Sequence, residues 1–312
     1  MIRTAFQTIH PFVQLIFFFC LMLTGLGLAS GLGLLGMAQW SGQSMEAAIR
    51  TMGAPDSPLG RTYNLVLNSA NQLLSFAGAA LAARYLFKEQ TMVTSRGPLP
   101  RTWLIWAVVF AWCAQPFIDI TYRLNGELLQ FLPADWVRAA DSFEAMAQQV
   151  TLGLLTFDSA WQFPATLVAV AFLPAVCEEL AFRGVVQPLI ARWTGSIHWG
   201  VWIGAVLFSA IHMQFHGFLP RMILGAGLGY LVVYSGSLWP AVIAHFCNNA
   251  AAVIMAALYG PTWIEEEMVA MGAWESPDYV MAVMAVMIGG FGVKWVFQNS
   301  TKGPKHPTTK SA

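Results

Sequence analysis

Long apolar runs separated by short polar segments dominate the chain. As a helix, a run of about 20 apolar residues spans the hydrocarbon core of a bilayer. Eight runs approach this length and predict transmembrane helices: Val13–Leu35, Leu65–Leu86, Trp103–Ile120, Phe163–Arg183, Ile197–Phe215, Phe218–Tyr234, Trp239–Leu258 and Tyr279–Phe297. The pattern therefore predicts an all-α polytopic membrane protein with about eight transmembrane helices.

Composition supports this reading and excludes several classes of function. Only 10% of the 312 residues are charged and 57% are hydrophobic, whereas soluble proteins carry about 25% charged residues. The 16 basic and 16 acidic residues cancel, so no basic surface indicates a nucleic-acid partner. A disordered chain and an ordinary soluble enzyme are excluded as well. Membrane lipid is the expected surrounding of most of the surface.

The distribution of Lys and Arg predicts the orientation in the membrane. With a cytoplasmic N-terminus, ten Lys and Arg residues fall in inside segments and five in outside segments. This excess fits the positive-inside rule. Both termini are predicted to be cytoplasmic, in a protein integral to a bacterial inner membrane. The segment Asp135–Val150 is predicted to form an amphipathic helix at the outer interface.

Three charges remain inside a predicted transmembrane helix: Glu178, Glu179 and Arg183. A charge at the bilayer centre costs about 2.5–3.5 kcal/mol even on translocon scales. Glu179 and Arg183 stand at i and i+4, in the favourable order for an ion pair. Glu178 lies about 100° around the helix, which leaves its carboxyl group available for acid–base chemistry. The alternative is that both carboxylates only bridge helices.

Two later transmembrane segments carry polar pairs at helical spacing. Phe208 precedes His212 by four residues, and His245 precedes Asn249 by four residues. One intramembrane histidine often only bridges helices. Together, however, a carboxylate and an imidazole can deprotonate water, while a second imidazole and a carboxamide can stabilise an oxyanion. The combination favours hydrolysis of an amide bond.

These residues form three ordered motifs, Glu178-Glu179-xxx-Arg183, Phe208-xxx-His212 and His245-xxx-Asn249. In this respect the chain resembles the CPBP intramembrane proteases (CAAX proteases and bacteriocin-processing enzymes, the Abi family), which include the Rce1-type prenyl-protein endopeptidases. The resemblance implies an Rce1-like helical bundle and a CAAX-type endopeptidase. Its substrate would be a membrane-associated or lipidated peptide or protein, cleaved near its terminus.

The resemblance also implies a role for each motif residue. Glu178 and His212 would activate the attacking water, and His245 and Asn249 would form the oxyanion site. Three residues would order the site: Glu179, Arg183 and Phe208. We accordingly divide the chain into N-terminal helices with an outer loop (1–162), a catalytic core (163–258), and a last helix with a basic tail (259–312).

Two alternatives remain open at this level. A zinc-dependent version of the protease could use His212 and His216, spaced i and i+4, with Glu178 or His245. Since the chain has no HExxH motif, we predict a mechanism without metal or other cofactor. A membrane transporter or an immunity protein is the non-enzymatic alternative. Substrate identity, its prenylation and the oligomeric state are not predicted.

Counting residues along the predicted helices places the two histidines at different depths in the membrane, which conflicts with a site that both share. His212 would lie about 15 residues into its helix and His245 only about 6 into another, which predicts a difference in depth of roughly 13 Å.

Overall fold

The computed structural model describes residues 6–87 and 101–260. In these residues the chain is helical, without β-strands, which confirms the predicted all-α class. The eighth predicted transmembrane run, Tyr279–Phe297, and the basic tail lie outside the described residues. The helices are α1 (Pro11–Ser41), α2 (Met45–Met52), α3 (Pro58–Phe87), α4 (Arg101–Leu129), α5 (Ala134–Leu154), α6 (Gln162–Thr194), α7 (Ile197–Ala210), α8 (Phe218–Ser235) and α9 (Trp239–Tyr259).

Six of these helices are long and apolar enough to cross a bilayer: α1, α3, α4, α6, α8 and α9. Helix α7 has 14 residues, or about 21 Å at 1.5 Å per residue, which is shorter than the roughly 30 Å hydrocarbon core. The predicted span Ile197–Phe215 is therefore wrong at its C-terminal end. Of the seven predicted runs that fall in the described residues, six correspond to membrane-length helices, and the count of eight is not confirmed. The molecule is an integral membrane protein with α7 as a short apolar helix beside the six.

Local sequence sets the turns around the site. Helix α6 ends where Gly195 adopts a left-handed conformation with φ 68°, which costs glycine no steric penalty. The hydroxyl of Ser196 then accepts a hydrogen bond from the backbone N–H of Trp199 and caps α7. Helix α8 ends at another left-handed glycine, Gly236. These short turns pack α6 against α7, and α8 against α9.

Helix α6 is the central element and is locally widened twice. More than half of its most apolar stretch is buried, against a third or less in the other five membrane-length helices. Its hydrogen bonding is π-helical at Leu167–Phe172 and again at Phe182–Val186. Each π-helical stretch comes just before a proline, Pro174 or Pro188. A proline ring clashes with the carbonyl group four residues earlier, and local widening of the helix relieves that clash. The two stretches flank the turn that carries the glutamate pair.

Helix α3 is also π-helical, over Gln72–Gly78, where it packs on α1 and α6. At Gly25 of α1, an added Cβ would lie 2.5 Å from the carbonyl oxygen of Leu74. Only glycine therefore permits this contact between the two helix backbones, the close packing that small residues allow in membranes. The contact fixes the face of α3 that meets the site.

Large apolar side chains cover the outside of the bundle, including Leu23, Leu32, Leu81, Ile105 and Leu258. Their exposure fits a surface in contact with lipid. The four cysteines are free thiols. The predicted amphipathic helix is part of α5, whose Trp136, Phe143 and Met146 are exposed.

Candidate active site

The ion pair predicted from the i, i+4 spacing lies in the centre of the bundle. Arg183 donates from Nη1 to Oε1 of Glu179 at 2.8 Å, and both side chains are almost completely buried. The other terminal nitrogen of Arg183 donates to the backbone oxygen of Gly225 in α8 at 2.7 Å. The guanidinium group therefore has a partner on each side, as a buried charge requires. The hydrogen bond from Arg183 to Gly225 ties α6 to α8.

The same Glu179 oxygen contacts α9. Nδ1 of His245 lies 2.9 Å from Oε1 of Glu179. The ionised carboxylate can only accept a hydrogen bond, so Nδ1 of His245 carries the hydrogen. Glu179 thus fixes the orientation of the imidazole, the role that a carboxylate commonly plays beside a functional histidine.

The neighbouring carboxylate, Glu178, faces two imidazoles. Its Oε2 lies 4.0 Å from Nε2 of His212 and 3.9 Å from Nε2 of His245. Its other oxygen accepts a hydrogen bond from Nε2 of Gln72 at 2.8 Å. Direct hydrogen bonds span about 2.7–3.2 Å, so each imidazole is too distant for a direct bond. A separation of this size accommodates one bridging water oxygen.

The tautomer of His212 is also set by its surroundings. Its Nδ1 lies 2.7 Å from the backbone oxygen of Phe208, which can only accept. Nδ1 therefore donates, and in the neutral ring Nε2 holds a lone pair that points toward Glu178. His212 can accept a proton at that nitrogen.

Phe208 packs against three residues of this arrangement, His212, His245 and Arg183. Its ring meets those of Phe182, His212 and His245 edge-on, with centroids 5.1, 5.0 and 6.0 Å away. The Arg183 guanidinium carbon lies 4.7 Å from the centre of the same ring, within cation–π range. Phe208 is buried, so it holds both imidazoles and the arginine in fixed positions.

The predicted difference in depth between the two histidines is wrong. Helix α7 ends at Ala210, so His212 lies in the turn that follows and not near the outer end of a full-length helix. That turn is anchored inside the bundle by Asn125 of α4, which donates to the backbone oxygens of Phe215 and His216. Both Nε2 atoms consequently lie within 4.0 Å of the same oxygen of Glu178.

The residue after His212 is conformationally unusual. Met213 has φ 55° and is the non-glycine residue with positive φ among those described. Such a conformation is sterically disfavoured and persists where surrounding contacts determine it. One of these contacts is made by Ser209, whose hydroxyl donates to the backbone oxygen of Phe218 at 2.7 Å. The turn therefore directs His212 inward at a local conformational cost.

Asn249 lies one turn after His245 in α9, but its described contacts are with neighbouring protein groups. Its Nδ2 donates to the backbone oxygen of Val170 at 3.3 Å, and its Oδ1 accepts from Nδ2 of Asn248 at 3.3 Å. Asn248 in turn accepts from Gln115 of α4 at 3.2 Å. One hydrogen of the Asn249 NH₂ group is used on Val170, which leaves the second available to donate to an oxyanion.

His216, part of the alternative zinc set, has a different partner. Its Nε2 lies 2.9 Å from Oδ1 of Asp141 in α5. Within residues 6–87 and 101–260, no group of three His, Cys, Asp or Glu side chains is arranged to hold a metal ion.

Sequence reasoning missed one site residue, Gln72. It lies 106 positions before Glu178, on a helix that carries none of the three motifs. A signal was present: Asn64, Asn68 and Gln72 recur every four residues through the apolar region of α3. That spacing puts them on one helix face, where Asn68 also bonds the backbone oxygen of Ala169 in α6 at 2.7 Å.

Comparison with known families agrees with the motifs. Residues 160–251 match the family model described as "Type II CAAX prenyl endopeptidase Rce1-like". This match, which covers less than a third of the chain, contains all seven motif residues and confirms the Rce1-like (CPBP) resemblance of the segment. No curated protein and no solved structure matches the chain.

Proposed function

We propose, on the premise that residues 160–251 are Rce1-like, that the protein hydrolyses a peptide bond of a membrane-associated or lipidated peptide or protein near its terminus. The observation that carries the proposal is the convergence of two imidazole Nε2 atoms on Oε2 of Glu178, at 3.9 and 4.0 Å. The glutamate and both histidines lie in the apolar bundle, among buried side chains.

The first step is activation of a water molecule. A water between Oε2 of Glu178 and Nε2 of His212 can donate one hydrogen to each acceptor. As its oxygen attacks the peptide carbonyl carbon, one proton passes to this acceptor pair. The bond between water oxygen and carbon forms, and the carbonyl oxygen gains the negative charge.

His245 is proposed to stabilise that oxyanion. Its Nδ1–H is bonded to Glu179, so Nε2 donates a hydrogen bond only when the ring carries both protons. In that form too, Nδ1–H donates to the Glu179 carboxylate. Asn249 would add a second hydrogen bond through the NH₂ hydrogen that is not bonded to Val170.

Collapse of the tetrahedral intermediate completes the reaction. The proton held by Glu178 and His212 is transferred to the nitrogen of the leaving peptide. The carbon–nitrogen bond breaks, and a carboxylic acid and an amine are released; the acid then loses its remaining proton to solvent. No redox partner or cofactor is consumed in this sequence. Glu179, Arg183 and Phe208 act by holding the reacting groups in position.

Two features support a membrane-associated substrate. Glu178 and His245 are buried between helices that cross the bilayer, and apolar side chains cover the bundle surface. The matched family is described by its prenyl endopeptidase activity, which makes prenylated peptides with a C-terminal Cys-a-a-X sequence the first substrates to examine.

The direct test uses the full chain purified in detergent and reconstituted into lipid nanodiscs. Fluorescence-quenched Cys-a-a-X peptides, prenylated and unprenylated, serve as probes, with products identified by mass spectrometry. We expect cleavage that is faster for the prenylated peptides. Absence of cleavage for both sets, at several pH values and with added zinc, would contradict this proposal. Concentrative uptake of a solute into proteoliposomes would instead favour a transporter.

A further inference from the structure

Gln72 makes a polar contact that links α3 to the glutamate pair of α6. Nε2 of Gln72 donates to Oε1 of Glu178 at 2.8 Å. Both residues are 95% buried, since each exposes 5% of its surface. A hydrogen bond from a carboxamide to a buried carboxylate is one of the stronger kinds in proteins.

The two ends of the Gln72 carboxamide have unequal environments. The NH₂ group bonds Glu178, whereas Oε1 is buried and has no hydrogen-bond partner among the described residues. The bond to Glu178 is therefore the described contact that orients the carboxamide.

We infer that Gln72 is a positioning residue that assigns different roles to the two oxygens of Glu178. By holding Oε1, it directs Oε2 toward the Nε2 atoms of His212 and His245. Without this bond the carboxylate can rotate about its last side-chain torsion, which is broad and about two-fold. The oxygen facing the imidazoles would then lose its fixed position. This inference rests on the hydrolytic function proposed above.

The surrounding helices hold Gln72 in place. It begins the π-helical stretch Gln72–Gly78, and π-helical turns are frequent at functional sites. On one side, Ser75 donates to the backbone oxygen of Met22 in α1 at 2.8 Å. On the other side, Asn68 donates to the backbone oxygen of Ala169 in α6. These bonds fix the register of α3 relative to the glutamate.

The first test replaces Gln72 by methionine, which has similar length but cannot donate a hydrogen bond. Cleavage of a prenylated Cys-a-a-X peptide by the full chain in nanodiscs is measured as kcat and KM. We expect kcat to fall about 10- to 100-fold, the effect of losing one hydrogen bond to a charged group, with KM changed less than threefold. Gln187→Met is the matched control, because Gln187 is equally buried but donates to the backbone oxygen of Gly229.

The second test, Gln72→Glu, separates positioning from packing. A carboxyl group at this position can donate to Oε1 of Glu178 only when protonated. The activity of Gln72→Glu relative to the unmodified protein is therefore expected to rise as pH is lowered from 8 to 5, whereas the relative activity of Gln72→Met stays constant. Parallel pH profiles for the two variants would contradict a role that depends on donation to Glu178.

The outcomes are distinct from those of the hydrolytic proposal. If the unmodified chain cleaves no probe, the proposed hydrolytic function is itself contradicted. The role inferred for Gln72 then falls with it. If the unmodified chain is active, a kcat of Gln72→Met within threefold of that value overturns the inference. If Gln72→Met does not fold, as judged by gel filtration and thermal unfolding, the pH profile of Gln72→Glu decides. A profile parallel to that of the unmodified protein then overturns the inference.

Discussion

Nδ1 of His245 lies 2.9 Å from Oε1 of Glu179, so the carboxylate beside Glu178 orients one of the imidazoles that Glu178 faces. Two adjacent glutamates thus have different surroundings. Glu179 is bonded to a guanidinium and an imidazole, whereas Glu178 is bonded to a carboxamide and has one oxygen left toward both histidines. The variants below test this division.

Glu178→Gln is expected to lower kcat about 10²- to 10⁴-fold, the usual contribution of a general base. Glutamine keeps the size of the side chain but cannot accept the proton. The measurement is peptide cleavage in nanodiscs, with Glu127→Gln as control, because Glu127 is exposed at the end of α4. Activity of Glu178→Gln equal to that control would rule out the mechanism.

His212→Ala and His216→Ala are expected to differ strongly. His212 faces Glu178, so its loss should reduce kcat about 10²- to 10⁴-fold. His216 is paired with Asp141 of α5 and should change kcat less than threefold. Comparable losses in both variants, with loss of bound metal, would instead support the zinc site.

Arg183→Met is expected to destabilise the protein by about 3–5 kcal/mol, because it leaves the buried Glu179 carboxylate without its guanidinium partner. The matched control is Arg50→Met, which removes an i, i+4 pair with Glu46 on exposed side chains. Such exposed pairs contribute about 0–1 kcal/mol. Unfolding in detergent, followed by intrinsic tryptophan fluorescence, compares them. Equal stability of the two variants would contradict a stabilising role for the buried pair of Arg183 and Glu179.

Phe208→Leu is expected to lower kcat about tenfold while the fold is retained. The change removes the ring that contacts both imidazoles and Arg183, and small misplacement of catalytic groups is costly. Phe172→Leu is the control, because that ring is 49% exposed and contacts Phe246. The two variants are compared in kcat and in thermal unfolding. A similar kcat for both would show that Phe208 only fills space.

Chelation tests the absence of metal from the reaction. We expect EDTA and 1,10-phenanthroline to leave the cleavage rate unchanged, and elemental analysis to find less than about 0.1 zinc per chain. The prediction follows from the sequence, which lacks HExxH. Loss of activity on chelation, restored by zinc, would establish the metal-dependent alternative and assign His212, His245 and Glu178 as ligands to be tested.

Much of the fold followed from local features of the sequence. Runs such as Trp239–Leu258 and Phe218–Tyr234 are almost identical to the observed α9 and α8. The lipid environment allows this, because a helix is the form in which an apolar segment satisfies its own backbone hydrogen bonds. The span predicted at Ile197–Phe215 is too long, because the sequence stays largely apolar beyond Ala210, where the helix ends. The helix ends there since the following turn is bonded to Asn125 of α4.

The sequence by itself determined the class of the molecule, most helix positions, and the pairing of Glu179 with Arg183. These features depend on composition and on contacts within one helix, where spacing of four residues fixes proximity. Only the tertiary structure decided that His212 and His245 meet one oxygen of Glu178, and that Gln72 holds the other. Those distances join four separate segments, and their values depend on where α7 ends and how α3 packs on α6, which no local pattern specifies.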